Sequence, residues 1–242
     1  MSDGASMRLT IWGVAGIGEI RPGVQLGEII ADACASAPNG PLADHDVLVV
    51  TQKIVSKAEG RLVAVDADDP LSHKRLVEQE SVRIVRRRGD LIISETAHGF
   101  VCANAGIDLS NVPRGEAALL PVDSDRSARR IVDIVRARLG VEVGVIVSDT
   151  FGRPWRKGLT DVAIGVAGIA GVVDLRGTAD ALGRTMQVTE VAVADELASA
   201  AELVMGKSTG IPVAVVRGAD AAWFRPSSMS ELVRPPDEDL FR

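Results

Sequence analysis

The sequence contains no tyrosine, and its aromatic side chains are four phenylalanines and three tryptophans among 242 residues. So few rings argue against an aromatic platform that would stack the bases of single-stranded nucleic acid. Acidic residues outnumber basic ones by 33 to 27, which gives a formal net charge of −6. Binding to a nucleic-acid backbone needs a basic surface, so nucleic acid is not expected as a partner.

Cysteine and histidine are also scarce. The two cysteines, Cys34 and Cys102, and the three histidines, His45, His73 and His98, have no spacing typical of metal ligands. No run reaches the roughly 18 apolar residues of a membrane helix, and the first residues lack the pattern of a signal peptide. We therefore expect a reduced, cytoplasmic protein with no disulfide, no zinc site and no membrane segment.

Short β-branched runs alternate with segments of helical periodicity. Strands are predicted at residues 8–14, 46–51, 61–65, 91–95, 99–103, 143–148 and 211–218. Helices are predicted at residues 24–36, 72–88, 125–139 and 190–204, the last with Thr189 as its N-cap. The run Arg86–Arg88 would then place cations at a helix C-terminus. Helices mixed with a strand pair favour an α+β fold over a doubly wound sheet.

One segment imitates a phosphate-binding loop. Residues 201–210 contain Gly206, Lys207 and Ser208, but a P-loop needs a glycine where Ala201 stands. A P-loop also runs from strand to helix, whereas this segment leads from helix to strand. A plain turn and a loop whose backbone amides contact a nucleotide both remain open. The dinucleotide fingerprint fails as well, because Arg21 replaces its third glycine.

Oxygen ligands occur in two segments that follow predicted strands. Asp108 and Asn111 follow the strand pair, and Asp149 and Thr150 follow the strand at 143–148. Carboxylate and hydroxyl oxygens are hard ligands that suit Mg²⁺ or Mn²⁺, often together with substrate phosphates. An aspartate in a loop is commonly a turn former, so each of these residues also has a structural interpretation.

Two groups of cations lie near these ligands in sequence. Their members are Lys53, Lys57 and Arg61 after strand 46–51, and Arg153, Arg156 and Lys157 after Thr150. Such residues hold phosphate groups or form solvated surfaces, and the pattern alone does not separate the two. The residues therefore indicate a divalent-metal site for a phosphate-bearing anion and stop short of a substrate.

Six blocks of the chain resemble the coenzyme F420-0:L-glutamate ligase (gamma-glutamyl ligase) family. They are VLVVTQKIVSKAEGR, GFVCANAGIDLSNV, ALLPVDSD, VIVSDTFGRPWRKGLTDVAIGVAG, VTEVAVADELASAAELVMGK and IPVAVVRG. The resemblance extends from about residue 11 to 240 and includes the N-terminal ligase domain of a bifunctional ligase–reductase. We expect either a stand-alone ligase or that domain alone.

The resemblance implies one ligase domain over residues 1–242, with a family-specific α+β fold, two interlocked lobes and an intertwined homodimer. It also implies GTP-dependent addition of γ-linked L-glutamate to coenzyme F420-0 through an acyl phosphate. The implied cofactors are Mg²⁺ or Mn²⁺, with two ions in each site, and K⁺ as a further candidate.

The family's site residues can be carried over position by position. The implied GTP-binding positions are Ile17, Gly18, Glu19, Ile20, Gln52, Lys57 and Asn111. Asp108 and Asp149 are implied for one metal ion and Thr150 for a second. Apart from the resemblance, Arg153, Arg156, Gly206 and Lys207 are candidate phosphate or substrate contacts. Stand-alone members tend to have an acidic or amide residue where this chain has Lys207, so a protein ligand for the second ion is in question.

Two other interpretations fit the same residues. One is a nucleotide-binding regulatory module without turnover. The other is a metal-dependent phosphatase or kinase that acts on another small anion. The sequence identifies no general base.

Overall fold

The computed structural model describes residues 7–241, which form five α-helices and twelve strands. The helices are α1 (Leu26–Ala35), α2 (Gln52–Ala58), α3 (Lys74–Gln79), α4 (Ser124–Leu139) and α5 (Val193–Met205). The strands are β1 (Thr10–Gly13), β2 (Val47–Thr51), β3 (Leu62–Ala64), β4 (Ser81–Arg88), β5 (Leu91–Thr96), β6 (Val101–Ala103), β7 (Glu116–Ala118), β8 (Gly144–Arg153), β9 (Arg156–Ala167), β10 (Val173–Asp174), β11 (Glu190–Val191) and β12 (Val213–Arg217). Short 3₁₀ turns lie at Asn104–Gly106, Ala221–Trp223, Met229–Glu231 and Pro236–Glu238.

The main sheet has five strands in the order β1-β12-β2-β8-β9, in which β2 and β8 are parallel and the other neighbours antiparallel. Its central strands are apolar on both faces because helices cover both. Leu48, Val50 and Val145 belong to the hydrophobic cluster that includes α1 and α4. Val49 and Ile146, on the opposite face, belong to the cluster that includes α5. This two-sided burial explains the continuous apolar runs in the sequence.

Strand β8 is longer than predicted. It continues through Arg153 and pairs with β9, so Asp149 and Thr150 lie inside a strand and not at its end. The prediction missed β9 altogether, because its first half is polar and pairing with β8 is what makes it a strand. Gly165 brings β9 close to the start of α4, since a Cβ there would lie 2.5 Å from the Cβ of Ser124.

The predicted helix at residues 72–88 is wrong beyond its first part. Helix α3 ends at Gln79, and β4 then pairs with β5 from Ser81 to Arg88. The arginine run therefore lies on an exposed strand and not at a helix C-terminus. Alternation of apolar and basic residues in this segment satisfies the period of a strand as well as a loose helical pattern.

The remaining elements agree more closely with expectation. The predicted strand pair is β5 and β6, which are antiparallel, and α5 begins at Val193 with Ala192, not Thr189, as its N-cap. The mixed α+β class is confirmed, whereas the two lobes and the homodimer stay predictions. Within residues 7–241, no helix has the length and apolar character needed to cross a bilayer.

Candidate active site

A cleft of about 1050 Å³ opens where the parallel pairing of β2 and β8 ends, at Thr51 and Ser148. Ligands of open α/β sheets commonly bind at such an edge. Five segments line it: residues 17–20, the start of α2, residues 103–111, the β8–β9 hairpin and the loop between α5 and β12. The cleft therefore gathers residues that are far apart in sequence.

Asp161 contacts three side chains of the cleft, Ser148, Thr150 and Lys207. It faces Thr150 across the β8–β9 hairpin, and the residue is 3% exposed. The Thr150 hydroxyl donates to Asp161 Oδ1 at 2.6 Å, and the Ser148 hydroxyl donates to Oδ2 at 3.2 Å. The sequence prediction missed Asp161, although a lone carboxylate beside the apolar run 162–168 could have signalled it.

Lys207 extends from the α5–β12 loop to this carboxylate. Its Nζ lies 2.6 Å from Thr150 Oγ1, 2.9 Å from Asp161 Oδ1 and 3.0 Å from Glu202 Oε1. Burial lowers the pKa of Lys207, but its hydrogen bonds to Asp161 and Glu202 outweigh this and raise the pKa above its ordinary value. The ammonium group is therefore charged at neutral pH.

Asp149 points to the other side of β8, because successive side chains of a strand alternate. Burial raises the pKa of Asp149 to about 7, and the negative charges of Asp108 and Asp161 add to this effect. Three carboxylates thus act on one another at the edge of the sheet. A cation bound there would relieve their repulsion.

Asp108 is held by backbone and side-chain contacts. Its main chain exchanges two hydrogen bonds with Ala118, and its carboxylate accepts from the Ser110 amide at 2.6 Å and pairs with Lys53 Nζ at 2.7 Å. Burial raises the pKa of Asp108, yet the Lys53 ammonium and the Ser110 amide hold the pKa below its ordinary value. Asp108 is therefore an ionised carboxylate with a fixed position.

These groups fit a divalent cation that also binds phosphate. The predicted ligands Asp108, Asp149 and Thr150 all line the cleft. Among residues 7–241, no set of three or more histidine, cysteine, aspartate and glutamate side chains is arranged to hold an ion by itself. Mg²⁺ commonly takes only one or two carboxylates and completes its shell with phosphate oxygens and water. Asp108 and Asp149 match that pattern.

The structure brings the predicted nucleotide positions to the same cleft. Its lining includes Ile17, Gly18, Glu19, Ile20, Gln52, Lys57 and Asn111, together with Gly206 and Lys207. The Lys57 ammonium pairs with Glu19 at 2.5 Å. Gln52 is 2% exposed, and its amide group donates to Ser56 Oγ and to the Leu119 carbonyl. This amide therefore also holds α2 against the segment after β7.

Two candidate contacts lie elsewhere. Arg153 and Arg156 are exposed near the tip of the β8–β9 hairpin and do not line the cleft. The Arg153 guanidinium donates to the carbonyl oxygens of Lys157 and Gly158 within that tip. Because the hairpin extends past the cleft, the structure gives no support to phosphate contacts from these arginines.

Comparison with known proteins assigns the chain to a family. The F420-0:Gamma-glutamyl ligase family profile matches residues 16–218. The chain belongs to the F420-0:gamma-glutamyl ligase family. This membership confirms the predicted family and the prediction of an enzyme of the ligase class.

Three relatives cover nearly the whole chain, and each is named coenzyme F420:L-glutamate ligase. The protein of Methanothermobacter thermautotrophicus is 42% identical over 255 aligned residues, which cover 98% of this chain and 100% of the relative. That of Methanopyrus kandleri is 42% identical, with coverages of 93% and 94%. That of Methanocaldococcus jannaschii is 40% identical, with 90% of both chains covered.

Proposed function

We propose that this gamma-glutamyl ligase family member joins L-glutamate to coenzyme F420-0, with further γ-linked residues following, in a reaction that consumes GTP and requires Mg²⁺ or Mn²⁺. The names of its relatives support the substrates. The observation that carries the nucleotide and metal requirements is one cleft lined by Lys53, Lys57, Asp108 and Asp149. It combines ammonium groups for phosphates with oxygen ligands for a divalent ion.

The reaction needs activation of a carboxylate, because hydroxide is too poor a leaving group for an amine to displace. A carboxylate oxygen of coenzyme F420-0 attacks the γ-phosphorus of GTP, and the bond to the β-phosphate oxygen breaks to release GDP. The glutamate amine then attacks the acyl carbon of the resulting acyl phosphate. Inorganic phosphate leaves, and the amine gives up a proton to solvent or buffer.

Repulsion between the negatively charged reactants is the main obstacle to these two steps. Two unit charges of the same sign at 4 Å repel by about 4 kcal/mol at an effective dielectric constant of 20. Phosphoryl transfer therefore requires mainly positioning and charge neutralisation. Lys53 and Lys57 lie one helical turn apart on α2 and supply two positive charges on the nucleotide side. When bound, a divalent ion supplies further neutralisation and polarises the γ-phosphate.

Asp149 has a fixed position because it lies within the β8–β9 ladder, paired with Val162. Thr150 is fixed by its hydrogen bond to Asp161. Asp149 can therefore hold a divalent cation, and Thr150 the Lys207 ammonium, without reorganising during the reaction, which is how a preorganised site lowers a barrier.

A homodimer is part of the proposal. The sheet β4-β5-β6 exposes apolar side chains, including Val82, Ile84, Val85, Leu91 and Val101. Exposed apolar groups clustered on one sheet mark an interaction surface more often than a solvated one. Use of K⁺ rests on the family resemblance alone.

The proposal is tested by mass spectrometry of a reaction containing coenzyme F420-0, L-glutamate, GTP and Mn²⁺. We expect glutamyl adducts from the native chain and none from Asp149→Ala. Asp133→Ala is the matched control, because Asp133 is exposed on α4, and we expect it to react normally. Normal turnover by Asp149→Ala would contradict the assignment of the cleft.

The same reaction separates the rival functions. Phosphate release from GTP that does not depend on L-glutamate or coenzyme F420-0 would indicate a phosphatase or a kinase for another anion. GTP binding with no phosphate release under any of these conditions would indicate a regulatory module.

A further inference from the structure

The cleft contains two separate groups of oxygen ligands, and a lysine ammonium contacts each. Lys53 contacts Asp108 Oδ2 at 2.7 Å and Ser110 Oγ at 2.8 Å. Lys207 contacts a second group, which consists of Thr150 Oγ1, Asp161 Oδ1 and Glu202 Oε1. We call these three oxygens the Thr150 group.

The Thr150 group satisfies the hydrogen-bonding capacity of Lys207. An ammonium has three N–H donors and no acceptor, and Lys207 has three oxygen partners within 3.0 Å. The Thr150 hydroxyl gives its own proton to Asp161, so its lone pair is free to accept from Lys207. Each contact therefore has a consistent donor and acceptor.

The charges of the whole cleft support the same arrangement. Within residues 7–241, its lining has five carboxylates, Glu19, Asp108, Asp149, Asp161 and Glu202, and three ammonium groups, Lys53, Lys57 and Lys207. With all of them ionised, the net charge is −2. One divalent cation brings this value to zero. Without Lys207 the net charge of the cleft would be −3, and the three oxygens of the Thr150 group would lose their cationic partner.

We propose that the Lys207 ammonium is a built-in monovalent cation that takes the place of a second metal ion, so that each chain binds a single divalent ion, at Asp108 and Asp149. This inference rests on the metal dependence in the proposed function. It also gives Thr150 a different role from the predicted one: its hydroxyl orients Lys207 and Asp161 and binds no metal.

The number of bound ions tests this proposal. Purified chain is titrated with Mn²⁺ alone, and free Mn²⁺ is measured from its electron paramagnetic resonance signal. We expect one ion per native chain. Lys207→Met and Lys207→Gln remove the charge and free the Thr150 group, and we expect two ions in each. Lys207→Arg keeps the charge, and we expect one.

Two controls test whether the second ion binds at the Thr150 group. Lys157→Met changes the net charge equally, but Lys157 lies outside the cleft lining near the hairpin tip, and we expect one ion. Adding Asp161→Asn to Lys207→Met removes a ligand of the freed group, and we expect the number of ions to return to one.

The outcomes distinguish failure of this inference from failure of the proposed function. Two ions on the native chain, or one ion on both Lys207→Met and Lys207→Gln, would overturn the role of Lys207 and leave metal-dependent ligation standing. No bound Mn²⁺ on the native chain would overturn the metal dependence itself, and this inference with it.

Discussion

Replacing Asp161 by asparagine should reduce the rate of ligation strongly while reducing the free energy of unfolding only slightly. Asparagine has nearly the same shape, so its oxygen can still accept from Thr150 and Lys207, while its amide nitrogen can donate to Ser148. What the variant loses is the negative charge. Hydrogen bonds to charged groups contribute about 1.5–3 kcal/mol and neutral ones about 0.5–1.5 kcal/mol, so the loss in unfolding free energy should be about 1 kcal/mol.

Solvent reduces this stability effect further. The Lys207 side chain is 57% exposed and keeps its contact with Glu202, and exposed ion pairs contribute little. The effect on ligation should be larger, because Asp161 orients Thr150 and Lys207 in the cleft. Loss of a residue that orients the ligands of a metal ion commonly reduces activity 10–100-fold, and we expect about that loss here because Lys207 takes the place of an ion.

The assay compares Asp161→Asn with Asp195→Asn. Asp195 also contacts β9, by accepting from the Ala163 amide at 2.8 Å, but it does not line the cleft. Unfolding free energies from urea titrations and rates of glutamate addition are measured for both variants. We expect small stability losses in both and a loss of rate in Asp161→Asn alone. Native-like ligation by Asp161→Asn, or equal rate losses in the two variants, would refute this reasoning.

Three further predictions follow from single contacts. Lys57→Ala should weaken binding of GTP in calorimetry, because a buried ammonium of the cleft is lost; unchanged affinity would contradict its role. Asp46→Asn should lower the urea unfolding free energy by about 2 kcal/mol, since Asp46 is 0% exposed and accepts two charge-assisted hydrogen bonds from Arg217, while Arg217 itself is 38% exposed and stays solvated; a change below about 1 kcal/mol, the value of an exposed pair, would contradict this. Burial raises the pKa of Cys34 to about 11 and that of Cys102 to about 12. At pH 8 the fraction of thiolate, and therefore the rate of alkylation, should be roughly 100-fold or more lower in the folded chain than in the urea-unfolded chain. Equal rates would show that these thiols are accessible in the folded chain.

Elements with a strong local pattern could be predicted from the sequence. Helix α4 occupies Ser124–Leu139 against a prediction of 125–139, because its apolar period and its ends are encoded locally. Asp123 accepts from the Arg126 amide at its start, and Gly140 adopts φ 71° at its end. Strand β9 and the β4 part of residues 72–88 could not be predicted, because pairing with a partner strand decides their conformation.

Reasoning from the residues predicted part of the cleft, where residue type alone carried the signal. Asp108 and Asp149 were predicted because a carboxylate near the end of a strand suggests a ligand, and both line the cleft. The family resemblance, and no local pattern, indicated residues 17–20 and Gln52, which line it as well. Asp161, Glu202 and the role of Lys207 depend on tertiary structure. Thr150 meets Asp161 through the hairpin register, and Lys207 meets Thr150 across 57 residues of sequence. No local pattern encodes such contacts.

The most direct test of the proposed chemistry follows an oxygen atom. Coenzyme F420-0 labelled with ¹⁸O in its acceptor carboxylate is incubated with the native chain, L-glutamate, GTP and Mn²⁺, and the released phosphate is analysed by mass spectrometry. If the cleft transfers the γ-phosphoryl group to that carboxylate, the first glutamate added to each labelled molecule delivers one ¹⁸O atom to phosphate, and later additions, which use unlabelled γ-carboxylates, deliver none. Unlabelled phosphate accompanying the first addition would contradict the acyl-phosphate route.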